Sequence, residues 1–125
     1  MGPVITTIKR RYHFESAHWL PLVAETHKCH RIHGHNYELE VVISSADLNN
    51  GWVMDFWDLD RIVAPLIEKV DHRLLNDIEG LGNPTAELIA HWFMLRIMTP
   101  IYPRCQVESV SVFETKDAIA TVTRA

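Results

Sequence analysis

His35-Asn36-Tyr37-Glu38-Leu39-Glu40-Val41-Val42-Ile43-Ser44-Ser45 is the stretch that decides the architecture. Tyr37, Leu39, Val41 and Ile43 share one parity and the other parity is more polar, the alternation of a strand with one buried face. Upstream, a segment from about Val4 to Ser16 alternates in the same way. Ile8, Tyr12, Phe14 and Ser16 lie on one side, with Lys9, Arg11, His13 and Glu15 on the other. A loop from about Leu20 to Ile32, punctuated by Pro21, separates the two strands. Downstream, Asn49-Asn50-Gly51 is a turn signal, after which the period changes. Phe56, Leu59, Ile62, Val63, Leu66, Ile67 and Val70 recur at three and four, with Asp55 placed to cap a helix and Pro65 to bend it. Asn83 and Pro84 read as N-cap and first position of a second helix running to about Met98, with Pro100 and Pro103 stopping it. Val107 to Glu114 and Ala118 to Thr123 then form a hairpin around Lys116-Asp117.

The expected order is β-β-α-α-β-β in an α+β class: a four-stranded antiparallel sheet with two helices on one face. Such a sheet has two open edges, which predicts pairing with further copies of the chain. The 125 residues fit a single domain spanning 1–125, and no repeat or linker divides them. With 12 Lys+Arg against 16 Asp+Glu, the net charge of −4 disfavours a general nucleic-acid binder. No apolar run approaches the roughly 18 residues of a membrane span, and the start does not read as a signal peptide. Two cysteines without a secretion signal point to a reducing cytoplasm.

Eight histidines are out of proportion, and six of them fall between His13 and His35. His33-Gly34-His35 enters the second strand, so both imidazoles face one way. His18 shares the parity of Phe14 and Ser16 and can meet them if the two strands pair. Three imidazoles without a fourth protein ligand describe a catalytic zinc site, which keeps one position open. The plainer account is a pair of surface histidines. His13 has the opposite parity and reads as surface; His27, His30 and His91 have no assigned partner. Cys29 lies beside Lys28 and Arg31, cations that favour a thiolate, whereas Cys105 reads as buried and inert. Asp71-His72 is an acid–base candidate or simply a helix end. Glu114, between Phe113 and Thr115, is either a rim glutamate or a carboxylate that accepts two parallel N–H donors from a ligand.

Taken together, several motifs resemble the 6-pyruvoyltetrahydropterin synthase superfamily. They are Phe14-Glu15-Ser16-Ala17-His18, Lys28-Cys29-His30-Arg31-Ile32-His33-Gly34-His35-Asn36-Tyr37, Trp52-Val53-Met54-Asp55-Phe56, Asp71-His72-Arg73-Leu74-Leu75-Asn76, Asn83-Pro84-Thr85-Ala86-Glu87 and Phe113-Glu114-Thr115. They cover nearly the whole chain in one order. The short gap between Cys29 and His33 is similar to the bacterial branch, the 6-carboxy-5,6,7,8-tetrahydropterin synthases of queuosine biosynthesis. The resemblance implies a tunnelling fold (T-fold) in which subunit sheets join into a trimeric barrel, two trimers stack into a homohexamer, and active sites form at subunit interfaces. It implies His18, His33 and His35 as zinc ligands, Cys29 as general base, Asp71 and His72 as a proton relay, and Glu114 as the pterin anchor. It places Thr85 and Glu87 in the pterin pocket. The implied substrate is 7,8-dihydroneopterin triphosphate, and the implied products are 6-carboxytetrahydropterin, acetaldehyde and triphosphate. Competing readings are the pyruvoyl synthase, which eliminates triphosphate without cleaving carbon–carbon, and a non-catalytic zinc or pterin-binding module. One departure stands out: Trp19 follows the first of the three histidines, where many members carry Arg. The triphosphate grip then falls to Lys28, Arg31 or a neighbouring subunit.

Overall fold

The computed structural model describes residues 4–125. In chain order the elements are β1 (Thr6–His18), β2 (His33–Ser45), α1 (Phe56–Val70), α2 (Ala86–Ile101), β3 (Gln106–Thr115) and β4 (Ala118–Thr123). Short 3-10 turns lie at Lys28–His30 and Leu75–Asp77. The strands form one sheet in the order β1-β2-β3-β4, and every neighbouring pair is antiparallel. The expected class and order therefore hold. No helix among the described residues is long and apolar enough to cross a membrane.

The alternating residues meet the helices as their parity requires. Phe14, Tyr37, Leu39, Val41, Ile43, Val110 and Val112 are buried against Leu59, Val63, Leu66 and Val70 of α1 and Ile89, Phe93 and Ile97 of α2. Burying one such side chain is worth about 1.5–3 kcal/mol, so this two-layer contact fixes which sheet face carries the helices.

The hairpin β1–β2 is longer than the alternation suggests. Its ladder runs on to pair Ser16 with His35 and His18 with His33, so β1 ends at His18 and β2 begins at His33. Val4 and Ile5 are exposed and precede β1. Two helix boundaries also differ from expectation. Thr85, not Asn83, is the N-cap of α2, its hydroxyl accepting from the Leu88 N–H at 3.1 Å. Pro84 stays outside the helix because its carbonyl is engaged elsewhere, as described below. Pro100 does not stop α2. Its missing donor falls in the last turn, where Tyr102 N–H still closes onto Met98 O at 2.9 Å and Ile101 remains buried.

The segment after α1 closes one end of the outer edge of β1. Ala17 N–H donates to Arg73 O at 2.9 Å, Glu15 N–H to the Asp71 carboxylate at 2.9 Å, and His72 N–H to Glu15 O. Ser16 Oγ donates to Val70 O. These bonds carry Asp71 and His72 to the same end of the sheet as the histidines.

Candidate metal and acid–base site

The register of the hairpin brings the three imidazoles together. Their candidate ligand atoms all lie within 4.8 Å of one another, with His18 buried and His33 and His35 half-buried. Backbone carbonyls fix the tautomers. His18 Nδ1–H donates to Pro84 O at 2.8 Å, just before the extended N-cap Thr85 of α2. His33 Nδ1–H donates to Arg31 O at 2.7 Å. Both Nε2 atoms are therefore lone-pair donors, yet they face each other at 2.9 Å. His35 Nε2 is buried without any hydrogen-bond partner. Two lone pairs that face each other repel, the third ring nitrogen beside them is unsatisfied, and a divalent cation removes both conflicts. Burial holds the His18 and His35 imidazoles below their ordinary value, which keeps them in the neutral, ligating form. The residues thus fit a metal ion.

The other candidates surround this cluster. Glu114 stands at a β-bulge: the β3–β4 register passes from Phe113↔Ile119 to Thr115↔Ala118 and skips it. A bulge re-aims its side chain, and the Glu114 carboxylate lies 3.7 Å from His35 Nε2. A cavity of about 410 Å³ is lined by Lys28, Cys29, His33, His35, Glu114 and Thr115. Glu114 also borders a second cavity, of about 480 Å³, that holds Thr85 and Glu87. Thr85 has a structural duty there as the cap of α2. His72 lines a third cavity, of about 610 Å³, together with Glu15, Gly34, His35 and Arg73. His35 borders both this cavity and that of Cys29, but Cys29 and His72 do not share one. His72 Nδ1 lies 2.9 Å from the Asp71 carboxylate, and its Nε2 lies 3.4 Å from Glu15. The Glu15 backbone N–H, ahead of His72, holds the Asp71 carboxyl below the usual carboxylate range.

Four contributors escaped the sequence reading. The Pro84 and Arg31 carbonyls have no side-chain signal. Tyr37, read only as core, places its hydroxyl 3.2 Å from His18 Nδ1, and its proton is held on by burial first and by Glu114 second. Asn76 lies inside a quoted motif without an assigned role, and its amide grips the Trp19 backbone at both N–H (3.0 Å) and O (2.7 Å). Of the unassigned histidines, His27 caps the turn that carries Cys29, accepting from Cys29 N–H at 3.0 Å. The His30 ring meets the edge of Trp19 at 5.4 Å. His13 is exposed and faces Glu38 at 3.7 Å. Cys105 is buried, with its thiol donating to Val53 O at 3.0 Å and its pKa pushed up by burial.

The sequence profile of the family described as 6-pyruvoyl tetrahydropterin synthase matches residues 7–125. The chain belongs to the 6-pyruvoyl tetrahydropterin synthase family. As a member it is an enzyme of lyase type, and its sheet and helices are those of the T-fold. A Synechocystis relative named 6-carboxy-5,6,7,8-tetrahydropterin synthase is 38% identical over 114 residues, covering 86% of this chain and 85% of its own. An Archaeoglobus fulgidus relative, provisionally given the same name, is 41% identical over 89% of this chain and 90% of its own. A Pyrococcus furiosus relative named dihydroneopterin monophosphate aldolase is 34% identical over 83% and 85%. Among solved structures, the 6-pyruvoyl tetrahydropterin synthase of Caenorhabditis elegans superposes with a TM-score of 0.86 at 26% identity, covering 98% of this chain and 97% of that one.

Proposed function

We propose that this member of the family is a zinc-dependent 6-carboxytetrahydropterin synthase. It acts in queuosine biosynthesis and converts 7,8-dihydroneopterin triphosphate to 6-carboxy-5,6,7,8-tetrahydropterin, acetaldehyde and triphosphate. The observation that carries the reading is the cavity in which Cys29, His33, His35 and Glu114 converge; the Synechocystis relative's name supports the product. A zinc ion held by His18, His33 and His35 supplies Lewis acidity toward the hydroxyls of the substrate side chain. Glu114 accepts the amino and ring N–H donors of the pterin in a fork and orients the side chain toward Cys29. Cys29 takes a proton from a side-chain carbon. Asp71, 2.9 Å from Nδ1, orients the His72 ring and leaves Nε2 to receive or return a proton. Thr85 and Glu87 border the Glu114 side of the pterin. The separate cavities that His72 and Cys29 line in one chain support a relay that reaches its substrate across a subunit contact. This agrees with a homohexamer built through the open sheet edges. A cytoplasmic enzyme is the corresponding setting.

Purified, zinc-loaded protein incubated with 7,8-dihydroneopterin triphosphate is expected to release acetaldehyde. Triphosphate release without acetaldehyde would instead indicate the pyruvoyl synthase. The Pyrococcus furiosus relative favours a second reading, aldol cleavage of the monophosphate, which would yield glycolaldehyde phosphate from that substrate. Replacing His33 or His35 by Ala should abolish zinc binding, and full metal content in both variants would remove the ligand assignment.

A further inference from the structure

The segment 21–31, which carries Cys29, is held to the rest of the molecule by little. It contributes no residue to the hydrophobic core, and Leu22 within it is 81% exposed. Its hydrogen bonds at 24 and 27–31 are mostly internal: His27 N–H to Ala24 O, Cys29 N–H to His27 Nδ1, His30 N–H to His27 O and Arg31 N–H to Lys28 O. Among the described residues only two hydrogen bonds and one ring contact leave the segment. Arg31 O receives His33 Nδ1–H, Leu20 N–H donates to Cys29 O at 2.8 Å, and the His30 ring meets Trp19. Two of the three therefore pass through the dipeptide Trp19-Leu20. That dipeptide is itself clamped, because Asn76 Oδ1 accepts from Trp19 N–H and Asn76 Nδ2 donates to Trp19 O. Asn76 lies on a 3-10 turn whose first residue, Leu75, is fully buried in the core.

We infer that Asn76 and Trp19 are positioning residues for Cys29. The amide of Asn76 fixes the Trp19 backbone, and Trp19-Leu20 then sets both the Cys29 carbonyl and the His30 ring. The same short segment that bears His72 thus also governs where the thiol stands. This gives Trp19 a purpose of its own: its ring makes the packing contact to the thiol's turn. Few other ties compete, so the loss of this one frees the turn. A displaced reacting group commonly costs on the order of a hundredfold in rate, even when the mutation lies outside the reacting atoms.

The inference rests on the proposed role of Cys29, but its test separates the two. Three readouts are compared in wild type, Asn76→Ala, Trp19→Ala, Trp19→Phe and the double variant Asn76→Ala/Trp19→Ala. They are amide hydrogen exchange over 19–31, the rate of Cys29 alkylation by iodoacetamide with buried Cys105 as the slow reference, and kcat against KM. Asn76→Ala and Trp19→Ala should each raise exchange in 19–31 by about tenfold, change the alkylation rate several-fold, and lower kcat more than they raise KM. Trp19→Phe, which keeps the backbone clamp and an aromatic edge, should stay near wild type. The double variant should add little to either single one. Unchanged exchange and alkylation in Asn76→Ala, or fully additive effects in the double variant, would overturn the inference. Should Asn76→Ala fail to fold, Trp19→Ala with the Trp19→Phe rescue decides alone. If the wild-type protein turns over no dihydroneopterin phosphate, the functional reading fails, while exchange and alkylation still judge the clamp.

Discussion

Cys29 sits on a three-residue turn whose N-cap is His27, with Lys28 beside it in the same cavity. Its replacement by Ala removes the proposed base without touching a metal ligand. Turnover should fall by at least about a hundredfold while zinc content, measured by atomic emission, is unchanged; turnover within twofold of wild type would remove Cys29 from the mechanism. The histidines carry a pH consequence. Burial depresses the His18 and His35 imidazoles below the ordinary 6.5, against the opposing pull of Glu114. In the metal-free protein the unfolded chain therefore binds protons that the native chain resists. Their contribution is whole above about pH 6.5 and declines as the pH falls through that value. Urea midpoints at about pH 7.5 and about pH 5.5 should show this drop, and His35→Asn should show a smaller one; equal drops would count against it. At this scale the sequence was informative where chemistry and spacing coincide, as in His33-Gly34-His35. It was silent where a backbone carbonyl acts. It was also silent on Tyr37, whose parity assigns it to the core but whose hydroxyl position depends on packing.

Among the elements, strand alternation was the strongest guide, because a buried face leaves a period of two that loops do not imitate. Boundaries were weaker for stated reasons. Asn83 and Thr85 are both good caps, and the choice between them depends on Pro84 O being used by His18 Nδ1, a contact between residues far apart in sequence. Pro100 ends a helix by local rules, yet the burial of Ile101 carries α2 one residue past it. The bulge at Glu114 had no signal at all, since it is set by the pairing of β3 with β4. The capping role of Thr85 is open to a simple check. Thr85→Ala should lower stability by about 1 kcal/mol in chemical denaturation, and Thr85→Ser should restore it. A loss of substrate affinity in Thr85→Ala that Thr85→Ser does not recover would instead put the side chain in contact with the pterin.

At the scale of the molecule, β1 and β4 are the outer strands, and among the described residues the end of β1 near Glu15–Ala17 is closed by another segment. Open edges were legible from counting strands, whereas the division of the site was not. That Cys29 and His72 line separate cavities emerges only once the chain is folded. If a working site combines the thiol of one copy with the imidazole of the next, two inactive variants can repair each other. Cys29→Ala and His72→Ala protein, mixed, unfolded and refolded together, should regain a measurable fraction of wild-type turnover. Mixtures as inactive as each variant alone would place both groups within a single copy.

His72 adopts φ +55°, a left-handed backbone that side-chain-bearing residues enter at a cost of about 1 kcal/mol. A glycine there would fold more comfortably, so His72→Gly should raise the denaturation midpoint while turnover collapses. Directed evolution for thermal endurance alone, with no screen for product, would then discard this histidine early. On its proposed role, the residue is one that durability would select against and chemistry would retain.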